Sequence, residues 1–474
     1  MSKRILFTGA TGKMGYASLI ELIDRKNDIE VTILARKSKK NVKKMKKFNT
    51  YSFIKIIWGD LCDYDSVKNA VRNIDIIIHM GALVSPMADK YPDLAWKINF
   101  EGSKNIIDAI SDLHLEDKIE FVYIGTVAET GNRPFPYHWG RIGDPISPSK
   151  GDYYAISKIA AERYVIESKI KKWISLRQTG IIHEDILKMR DGIEFHQPLD
   201  NHMEWVSLKD TANLIANICE YNIDKEVWRK VYNIGGGNDY RMTSYKFMKK
   251  IFGLMKLDMQ NVYSPNMFAL KNFHGHYFLD SDELNDIFNF RVENIEECFK
   301  KIYEQIPISL KVIKFLPPKL IKFIMKKQSE CNKKTPLCWM KNQSRYETEV
   351  KNFIGSKDEF NQINDWDIIS SKENKETKKF VLLNHGYDEE KCDCDLDLED
   401  MKMAAEFRGG QCISSFMLKG DLYSKLEWKC SEGHEFSASP YLVLKAGHWC
   451  DECLINMQKN KIDIVSNKFF TQIL

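Results

Sequence analysis

The residues that decide the fold stand at the start of the chain, where RILFTGATGKMG occupies positions 4–15. The apolar run predicts a buried strand, and the glycines after it, Gly9, Gly12 and Gly15, predict a tight turn into a helix. Glycines here let the backbone approach a pyrophosphate, which the free amides and the positive end of the helix dipole would hold. We predict a dinucleotide site that includes Thr11. A tight turn without a ligand is the alternative.

The alternation of strands and helices continues beyond this motif. Short apolar runs alternate with segments of helical periodicity, and this alternation predicts a parallel sheet with helices on both faces. The expected fold class is therefore α/β, a Rossmann-type doubly wound sheet with a small substrate lobe. After the first run, the apolar runs lie at 31–34, 53–58, 76–80, 121–124 and 174–177.

The length and composition indicate several domains. A chain of 474 residues, 43% hydrophobic and 29% charged, is too long for one compact core. We assign residues 1–300 to a dinucleotide-binding domain with its substrate lobe, 301–378 to an irregular helical connector and 379–474 to a small C-terminal domain. The 70 basic and 66 acidic residues are interspersed and leave a net charge of only +4, which disfavours nucleic acid as a partner.

The sequence also predicts a location. No apolar signal core precedes the first strand and no stretch of about 18 apolar residues occurs, so we expect a cytoplasmic protein without a membrane span. Six of the eleven cysteines lie beyond residue 390. In a reducing compartment, clustered cysteines bind metal more often than they form disulfides.

Two further strand ends fit a dinucleotide site. The second strand ends at Arg36, where NAD enzymes use a carboxylate to hold the ribose 2′-hydroxyl, and an arginine suits the 2′-phosphate of NADP. We therefore favour NADP over NAD, although Arg36 also begins a basic run that ends at Lys47. The fourth strand ends at Gly81 and Ala82, where small residues let the backbone pass the nicotinamide ribose.

The strongest catalytic signal is YAISK at positions 154–158. Positions four apart lie on one face of a helix, so Lys158 comes near the phenol of Tyr154 and can lower its pKa from about 10 towards that of a working acid or base. Thr126 ends an earlier strand, where its hydroxyl would bond the reacting oxygen. Taken by itself, Lys158 could instead be a surface residue of the helix without a catalytic role.

With these motifs in this order, residues 1 to about 300 resemble the NAD-dependent epimerase/dehydratase family, a branch of the extended short-chain dehydrogenases. The glycine spacing of positions 9, 12 and 15 is typical of that group. The resemblance implies a seven-stranded sheet, a bound dinucleotide and a triad of Thr126, Tyr154 and Lys158. It also implies that Asp60, with Leu61 beside it, contacts the adenine ring.

The resemblance extends to Asn99, because these enzymes carry an asparagine at that place. We assign Asn99 to the cofactor site, while helix capping would explain it if it stood alone. The implied activity is that of an NAD(P)-dependent oxidoreductase or epimerase, with reversible hydride transfer at a secondary alcohol or ketone and Tyr154 as general acid and base. A nucleotide sugar is the candidate substrate and a homodimer the candidate assembly.

Departures from the family pattern narrow the reaction. Sugar-nucleotide dehydratases follow the catalytic threonine with Asp-Glu, whereas Val127 and Ala128 stand here, so a 4,6-dehydratase is disfavoured. Gly180 replaces an asparagine that many sugar-nucleotide enzymes present to substrate. The substrate itself is not identified. The pocket residues expected from the resemblance lie at 84–87, 130–138 and 181–196.

A second constellation lies near the C-terminus. The pairs Cys430/His434 and Cys450/Cys453 can each hold one side of a zinc ion, and three thiolates with one imidazole give a closed, structural, four-coordinate site. The surrounding sequence resembles zinc-ribbon or treble-clef modules. Reduced buried thiols are the alternative. Of the remaining tail cysteines, we expect exposed thiols at Cys392 and Cys394 and a packing residue at Cys412.

Two other functional classes stay open. A regulatory or nucleic-acid-binding protein could sense the dinucleotide with its Rossmann domain and contact a partner through the zinc module. A peripheral membrane enzyme could use Ile306 to Lys327, which mixes apolar residues with lysines. Two helices packed on the main domain with their lysines outward explain that segment as well, and we favour them.

Overall fold

A seven-stranded parallel sheet forms the centre of the molecule, as the sequence predicts. The computed structural model describes residues 2–25, 28–188, 192–308, 313–363, 365–367, 369–370, 379–458 and 467–473. The strand order in the main sheet is β11-β7-β5-β4-β1-β2-β3. The strands are β1 (Lys3–Thr8), β2 (Ile29–Ala35), β3 (Ile54–Trp58), β4 (Ile76–His79), β5 (Glu120–Thr126), β6 (Trp139–Gly140), β7 (Lys172–Gln178), β8 (Ile181–Ile182), β9 (His202–Glu204), β10 (Val206–Ser207), β11 (Lys230–Ile234), β12 (Arg241–Thr243), β13 (Tyr277–Phe278), β14 (Gln411–Cys412), β15 (Leu426–Lys429) and β16 (Glu435–Ala438).

Helices connect the parallel strands and cover both faces of the sheet. The α-helices are α1 (Lys13–Asp24), α2 (Lys39–Met45), α3 (Tyr64–Val71), α4 (Met87–Lys90), α5 (Pro92–Ala95), α6 (Gly102–Asp112), α7 (Tyr153–Ile166), α8 (Leu208–Glu220), α9 (Ser244–Leu254), α10 (Ser281–Phe288), α11 (Ile295–Gln305), α12 (Pro318–Cys331), α13 (Pro336–Lys341), α14 (Glu347–Glu349), α15 (Lys357–Gln362), α16 (Leu398–Phe407), α17 (Asp451–Gln458) and α18 (Lys468–Thr471). Short π-helical segments occur at Trp96–Glu101, Val350–Ile354 and Tyr441–Lys445.

The strands read as continuous apolar runs because both of their faces are buried. In β1, Ile5 and Phe7 point to the face covered by α1 and α8, whereas Leu6 points to the face covered by α3, α6 and α7. This alternation is the period of two that a strand imposes on its side chains. Since all seven strands run parallel, their carboxyl ends meet along one edge of the sheet.

The C-terminal region packs directly on one face of the main sheet. Its antiparallel strands β14, β15 and β16 carry Trp428, which lies in the same apolar cluster as Val165 of α7 and Trp173 of β7. The backbone amide of Val231 in β11 donates a hydrogen bond to the hydroxyl of Tyr441, 2.9 Å away. The described part of 379–474 therefore shares a hydrophobic core with the sheet, and the boundary at 378 stays a prediction.

The described parts of the segment 301–378 are largely helical. In α12, Ile321 is buried and packs in a cluster with Leu337 of α13 and Tyr245 of α9. The described part of Ile306 to Lys327 packs on the main domain with lysines outward, as favoured from the sequence, but Phe315 and Phe323 are outward as well, 78% and 59% exposed. Positions 309–312 of that segment lie outside the described residues. No helix in the described ranges is long and apolar enough to cross a membrane.

Candidate functional site

The glycine turn joins β1 to α1 at the carboxyl edge of the sheet. Gly9 has a φ of +76°, and a Cβ added there would lie 2.6 Å from the carbonyl carbon of Met80. A Cβ added at Gly15 would lie 2.5 Å from the carbonyl oxygen of Gly9. The turn is thus packed against the end of β4 and the start of α1. No side chain caps α1 at Gly12, so the first amides of the helix remain available to an anion.

A buried histidine fixes the position of this turn. His79 shares hydrogen bonds with the hydroxyl of Thr8, 2.7 Å from Nδ1, and with that of Ser103, 2.8 Å from Nε2. The backbone amide of Gly81 donates to the same Thr8 hydroxyl at 3.1 Å, and Ala82 follows it half-buried. Burial lowers the pKa of His79 to about 3, so the imidazole stays neutral. No motif predicts this role, because Thr8, His79 and Ser103 are distant along the chain.

A lysine lies beside the glycine turn. The ammonium of Lys44 donates to the carbonyl oxygen of Thr11 at 2.9 Å. Burial, and then the charges of Lys13 and Lys40, lower the pKa of Lys44. Sequence reasoning passed over Lys44 because it stands in a run of lysines with no motif of its own. Its ammonium group therefore lies next to the turn, where it would attract a bound pyrophosphate.

The residues predicted around the adenosine half of a dinucleotide lie at the ends of β2 and β3. Arg36 follows β2 with an exposed side chain. Asp60 follows β3, and its carboxylate accepts a hydrogen bond from the backbone amide of Cys62 at 3.0 Å. Leu61 packs beside Gly81 and Gly102. These positions share the edge that carries the glycine turn, as expected for strand ends of a parallel sheet.

Asn99 is not a helix cap. It lies buried within the π-helical segment between α5 and α6, and its Oδ1 accepts a hydrogen bond from the amide of Leu83 at 2.7 Å. Its Nδ2 donates to the carbonyl of Leu83 and to the hydroxyl of Ser157, both at 2.9 Å. The capping interpretation is therefore wrong: Asn99 joins the loop after β4 to α7.

The three predicted catalytic residues come together between β5 and α7. Thr126 ends β5, and its side chain is hydrogen-bonded to the phenol of Tyr154. Lys158 lies one turn further along α7, buried, with Nζ 4.0 Å from the centre of the Tyr123 ring. Burial raises the pKa of Tyr154 and lowers that of Lys158 to about 8.

A buried ion network lies behind Lys158. The guanidinium of Arg177 donates to the carboxylate of Glu162 at 2.7 Å and lies 3.4 Å from that of Glu129. Glu129 accepts a hydrogen bond from the backbone amide of Thr126 at 3.0 Å. Burial and the neighbouring Glu162 raise the pKa of Glu129. Burial acts in the same direction at Glu162, but Arg177 and His448 together outweigh it and hold the pKa of Glu162 well below its usual range.

The C-terminal region completes this network. Nε2 of His448 lies 3.1 Å from Glu162, and Arg177 donates a second bond to the carbonyl oxygen of Ala446 at 2.8 Å. Arg163, on the same helix as Lys158, donates to the carbonyl of Trp449 at 2.8 Å. The surroundings of Lys158 are therefore built partly by residues some 290 positions away in sequence.

The predicted metal ligands converge in the tail. Nδ1 of His434 lies 3.4 Å from the sulfur of Cys430, 3.5 Å from that of Cys450 and 3.4 Å from that of Cys453. All four ligand atoms lie within 4.8 Å of one another, and three sulfurs with one nitrogen are a donor set that suits zinc. As expected, Cys412 is buried and Cys392 and Cys394 are exposed.

One residue of the expected substrate pocket, His138, packs against a second histidine outside the expected ranges, His202. The rings of His138 and His202 are buried, with centroids 4.2 Å apart. Gly180, where an asparagine was expected from the family pattern, packs against Trp205 and leaves no space there for a side chain. Among the other expected pocket residues, Val84 and Met87 are exposed. Positions 189–191 of the expected range 181–196 lie outside the described residues.

The parallel sheet and the glycine turn at its carboxyl edge together define a Rossmann-type domain. Residues 5–235 match the model of the NAD dependent epimerase/dehydratase family. The predicted resemblance is thereby confirmed for these residues.

Individual relatives match over a shorter stretch. The chain is 33% identical over 115 residues to a UDP-glucose 4-epimerase of Rickettsia bellii, which is 23% of this chain and 33% of that protein. It is 31% identical over 108 residues to an inverting UDP-N-acetylglucosamine 4,6-dehydratase of Campylobacter jejuni, or 23% of this chain and 32% of that one. The chain thus spans about a third of the length of the curated relatives it matches.

Solved structures confirm the fold over a longer range. A dTDP-glucose 4,6-dehydratase from Streptomyces venezuelae, solved with NAD bound, superposes with a TM-score of 0.52 at 16% identity. The superposition covers 64% of this chain and 96% of that one. At this identity the likeness establishes the Rossmann-like architecture alone.

Proposed function

We propose that the protein is an NAD(P)-dependent oxidoreductase or epimerase that carries out reversible hydride transfer at a secondary alcohol carbon of a nucleotide sugar. The observation that carries the proposal is the convergence of Thr126, Tyr154 and Lys158 between β5 and α7, at the edge of the sheet that holds the glycine turn. The match of residues 5–235 to the epimerase/dehydratase family supports it.

The glycine turn fits a dinucleotide because its backbone leaves no room for side chains and α1 is uncapped. Gly9, Gly12 and Gly15, with the Thr11 backbone, would hold the pyrophosphate, and Lys44 adds a positive charge. Gly81, Ala82 and Asn99 would lie on the nicotinamide side, and Asp60 and Leu61 on the adenine side. The nicotinamide, when bound, supplies the hydride acceptor and donor.

We favour NADP over NAD as the cofactor. Arg36 is exposed at the end of β2, where a 2′-phosphate would lie, and no carboxylate stands at that place for a 2′-hydroxyl. Lys40 lies close enough for its charge to lower the pKa of Lys44, so several cations stand at this end of the sheet.

Tyr154 serves in this proposal as the general base when the alcohol is oxidised and as the general acid in reverse. The substrate hydroxyl gives its proton to the phenolate oxygen, and the same proton returns to the substrate oxygen on reduction. Burial makes the phenolate costly, and the hydrogen bond with Thr126 offsets part of that cost. In this proposal the charge of Lys158, four residues further along α7, stabilises the phenolate as well. With a pKa of about 8, Lys158 remains mostly protonated at neutral pH. Thr126 holds the reacting oxygen in place.

Glu129 and Glu162 keep the lysine charged. Burial lowers the pKa of Lys158, and the two carboxylates raise it again. Arg177 and the backbone amide of Thr126 both contact the carboxylate of Glu129. We regard a 4,6-dehydratase as the less favoured reaction, because Val127 and Ala128 stand where those enzymes carry Asp-Glu.

The tail is assigned a structural zinc ion. Cys430, His434, Cys450 and Cys453 fill all four positions of a tetrahedral site and leave no place for substrate. The eleven cysteines are free of disulfides, in keeping with the reducing cytoplasm we propose as the location. We keep a homodimer as the expected assembly.

The proposal is tested by incubating the purified protein with NADP or NAD and a panel of UDP- and dTDP-linked sugars. Nicotinamide absorbance reports net redox change, and chromatography of the sugars detects epimers that leave none. At least one nucleotide sugar should be converted, and omission of the dinucleotide after its removal from the protein should stop the conversion. Failure to bind any nicotinamide dinucleotide in a calorimetric titration would remove the enzyme assignment altogether.

A further inference from the structure

The segment 306–329 has a composition unlike that of its surroundings. It carries six lysines and no acidic residue, interspersed with Ile, Leu and Phe. Within this segment, a short helical turn runs from Ile313 to Phe315, and α12 follows from Pro318 to Cys331. The helix is anchored to the protein by Ile321, with Ile313 and Met325 packed against the same cluster.

The opposite side of α12 is also apolar, and it faces solvent. Leu320, Phe323 and Ile324 lie at positions i, i+3 and i+4, which share one helix face, and they are 45%, 59% and 40% exposed. Phe315 and Leu316, which precede the helix, are exposed as well. Clustered large apolar side chains of this kind mark an interaction surface, whereas single exposed ones do not.

Lysines border this apolar face. Lys314, Lys319, Lys326 and Lys327 are exposed. The ammonium of Lys314 lies 5.1 Å from the ring centre of Phe315, and that of Lys327 lies 6.0 Å from that of Phe323. Lys327 also pairs with Glu330 at 3.3 Å, at the far end of the segment. The surface therefore combines a protruding apolar strip with a positive border.

We infer that the face of α12 formed by Phe315, Leu316, Leu320, Phe323 and Ile324 docks the protein on an anionic lipid surface. A helix with an apolar side and lysines beside it lies in the interface of a bilayer, with its apolar residues among the acyl chains and its cations at the headgroups. Each lysine near an anionic surface adds attraction, and lysine stems can follow the apolar strip while their charges reach the headgroups.

The positive border distinguishes this partner from a second copy of the chain. An isologous contact places the same patch of both copies together, so the bordering lysines would meet like charges. An anionic bilayer supplies the complementary charge along the whole strip. The surface is separate from the proposed catalytic residues, so the inference stands or falls independently of the proposed function.

Co-sedimentation of the full chain with vesicles tests the inference. We expect binding to vesicles of equal parts phosphatidylcholine and phosphatidylserine, weakening as salt is raised, and much weaker binding to phosphatidylcholine alone. The double variant Leu320→Ser/Phe323→Ser should weaken binding about tenfold, and Lys319→Gln or Lys326→Gln about fivefold each.

The matched control is Phe416→Ser, because Phe416 is equally prominent in the tail at 74% exposure and lies outside this surface. It should bind vesicles as the unaltered protein does. Dinucleotide affinity checks that each variant is folded. The inference is overturned if phosphatidylserine vesicles do not bind, or if the double variant binds as well as the control. It is also overturned if light scattering shows a dimer that the double variant loses while vesicle binding is absent.

Discussion

The two candidate centres of this protein are assembled in opposite ways. The dinucleotide edge draws on Thr8, Gly81, Thr126 and Tyr154, which the parallel sheet brings together from four separate strand and helix ends. The cysteine cluster draws on two short turns of the tail that approach each other directly. The first centre therefore depends on the whole fold, whereas the second is local. The tail that carries the second centre still supports the first, because His448 contacts Glu162 and Ala446 contacts Arg177 behind Lys158.

This difference determines how far the protein should unfold when each centre is disrupted. A local metal site would be expected to unfold alone when the metal is removed. Here the tail shares a hydrophobic core with α7 and β7 through Trp428, Val165 and Trp173. Loss of the metal should therefore destabilise the sheet as well as the tail.

The largest effect is expected from removing zinc. Cys450→Ser, or chelation, should reduce the free energy of unfolding of the whole protein, because loss of the tail leaves Glu162 and Arg177 without their bonds to His448 and Ala446. Removing a partner from a buried ion network costs about 3–5 kcal/mol. Denaturant unfolding followed by tryptophan fluorescence measures it. Cys392→Ser, at an exposed cysteine, is the control and should change nothing. Unaltered sheet stability after chelation would show that the two regions are independent.

A smaller loss of stability is expected at the glycine turn. Gly9→Ala forces a Cβ to within 2.6 Å of Met80 at a φ of +76° and should destabilise the protein by about 1–3 kcal/mol. It should also abolish dinucleotide binding, which calorimetry measures. Gly253→Ala is the matched control, since that glycine lies in α9 with no atom near its missing Cβ and alanine favours a helix. Normal binding by Gly9→Ala would mean that the turn is not the cofactor site.

The fold and most candidate site residues could be predicted from sequence because their signals are periodic or spaced. The apolar runs mark the strands, and Tyr154 and Lys158 share a helix face. The buried network could not be predicted, because nothing along the chain shows that Arg177 of β7 meets Glu162 of α7 and the backbone of the tail. The sequence left two alternatives for the face of α12, because apolar periodicity does not say which side of a helix is covered.

The pH dependence of turnover should report on Lys158. Turnover should fall as the pH rises above about 8, where Lys158 loses the proton that stabilises the phenolate of Tyr154. Glu162 raises the pKa of Lys158, so Glu162→Gln should move this fall to lower pH. Glu167→Gln, which lies at the end of the same helix and bonds Ser439 of the tail, is the control and should leave the profile in place. If Glu162→Gln leaves the pH profile in place, the buried ion network does not set the pKa of Lys158.

The smallest effect is expected at the adenosine end of the site. Arg36→Ala should weaken NADP binding about fivefold to tenfold, the loss of one exposed charge on a phosphate, and leave NAD binding unchanged. Lys37→Ala, at the neighbouring exposed position, serves as the control. Equal affinities for NADP and NAD in the unaltered protein would show that Arg36 does not bind the 2′-phosphate. The other proposed cofactor contacts would be unaffected by that result.

The proposed function requires Tyr154 to move the proton while a dinucleotide is bound. The most direct test compares Tyr154→Phe with Tyr153→Phe, its exposed neighbour on α7, using a nucleotide sugar that the unaltered protein converts. Both variants should bind the dinucleotide as tightly as the unaltered protein. Tyr154→Phe should lower kcat by about 10²–10⁴-fold, the usual contribution of a positioned acid or base, while Tyr153→Phe should leave it unchanged. Undiminished turnover by Tyr154→Phe would exclude Tyr154 as the general acid and base.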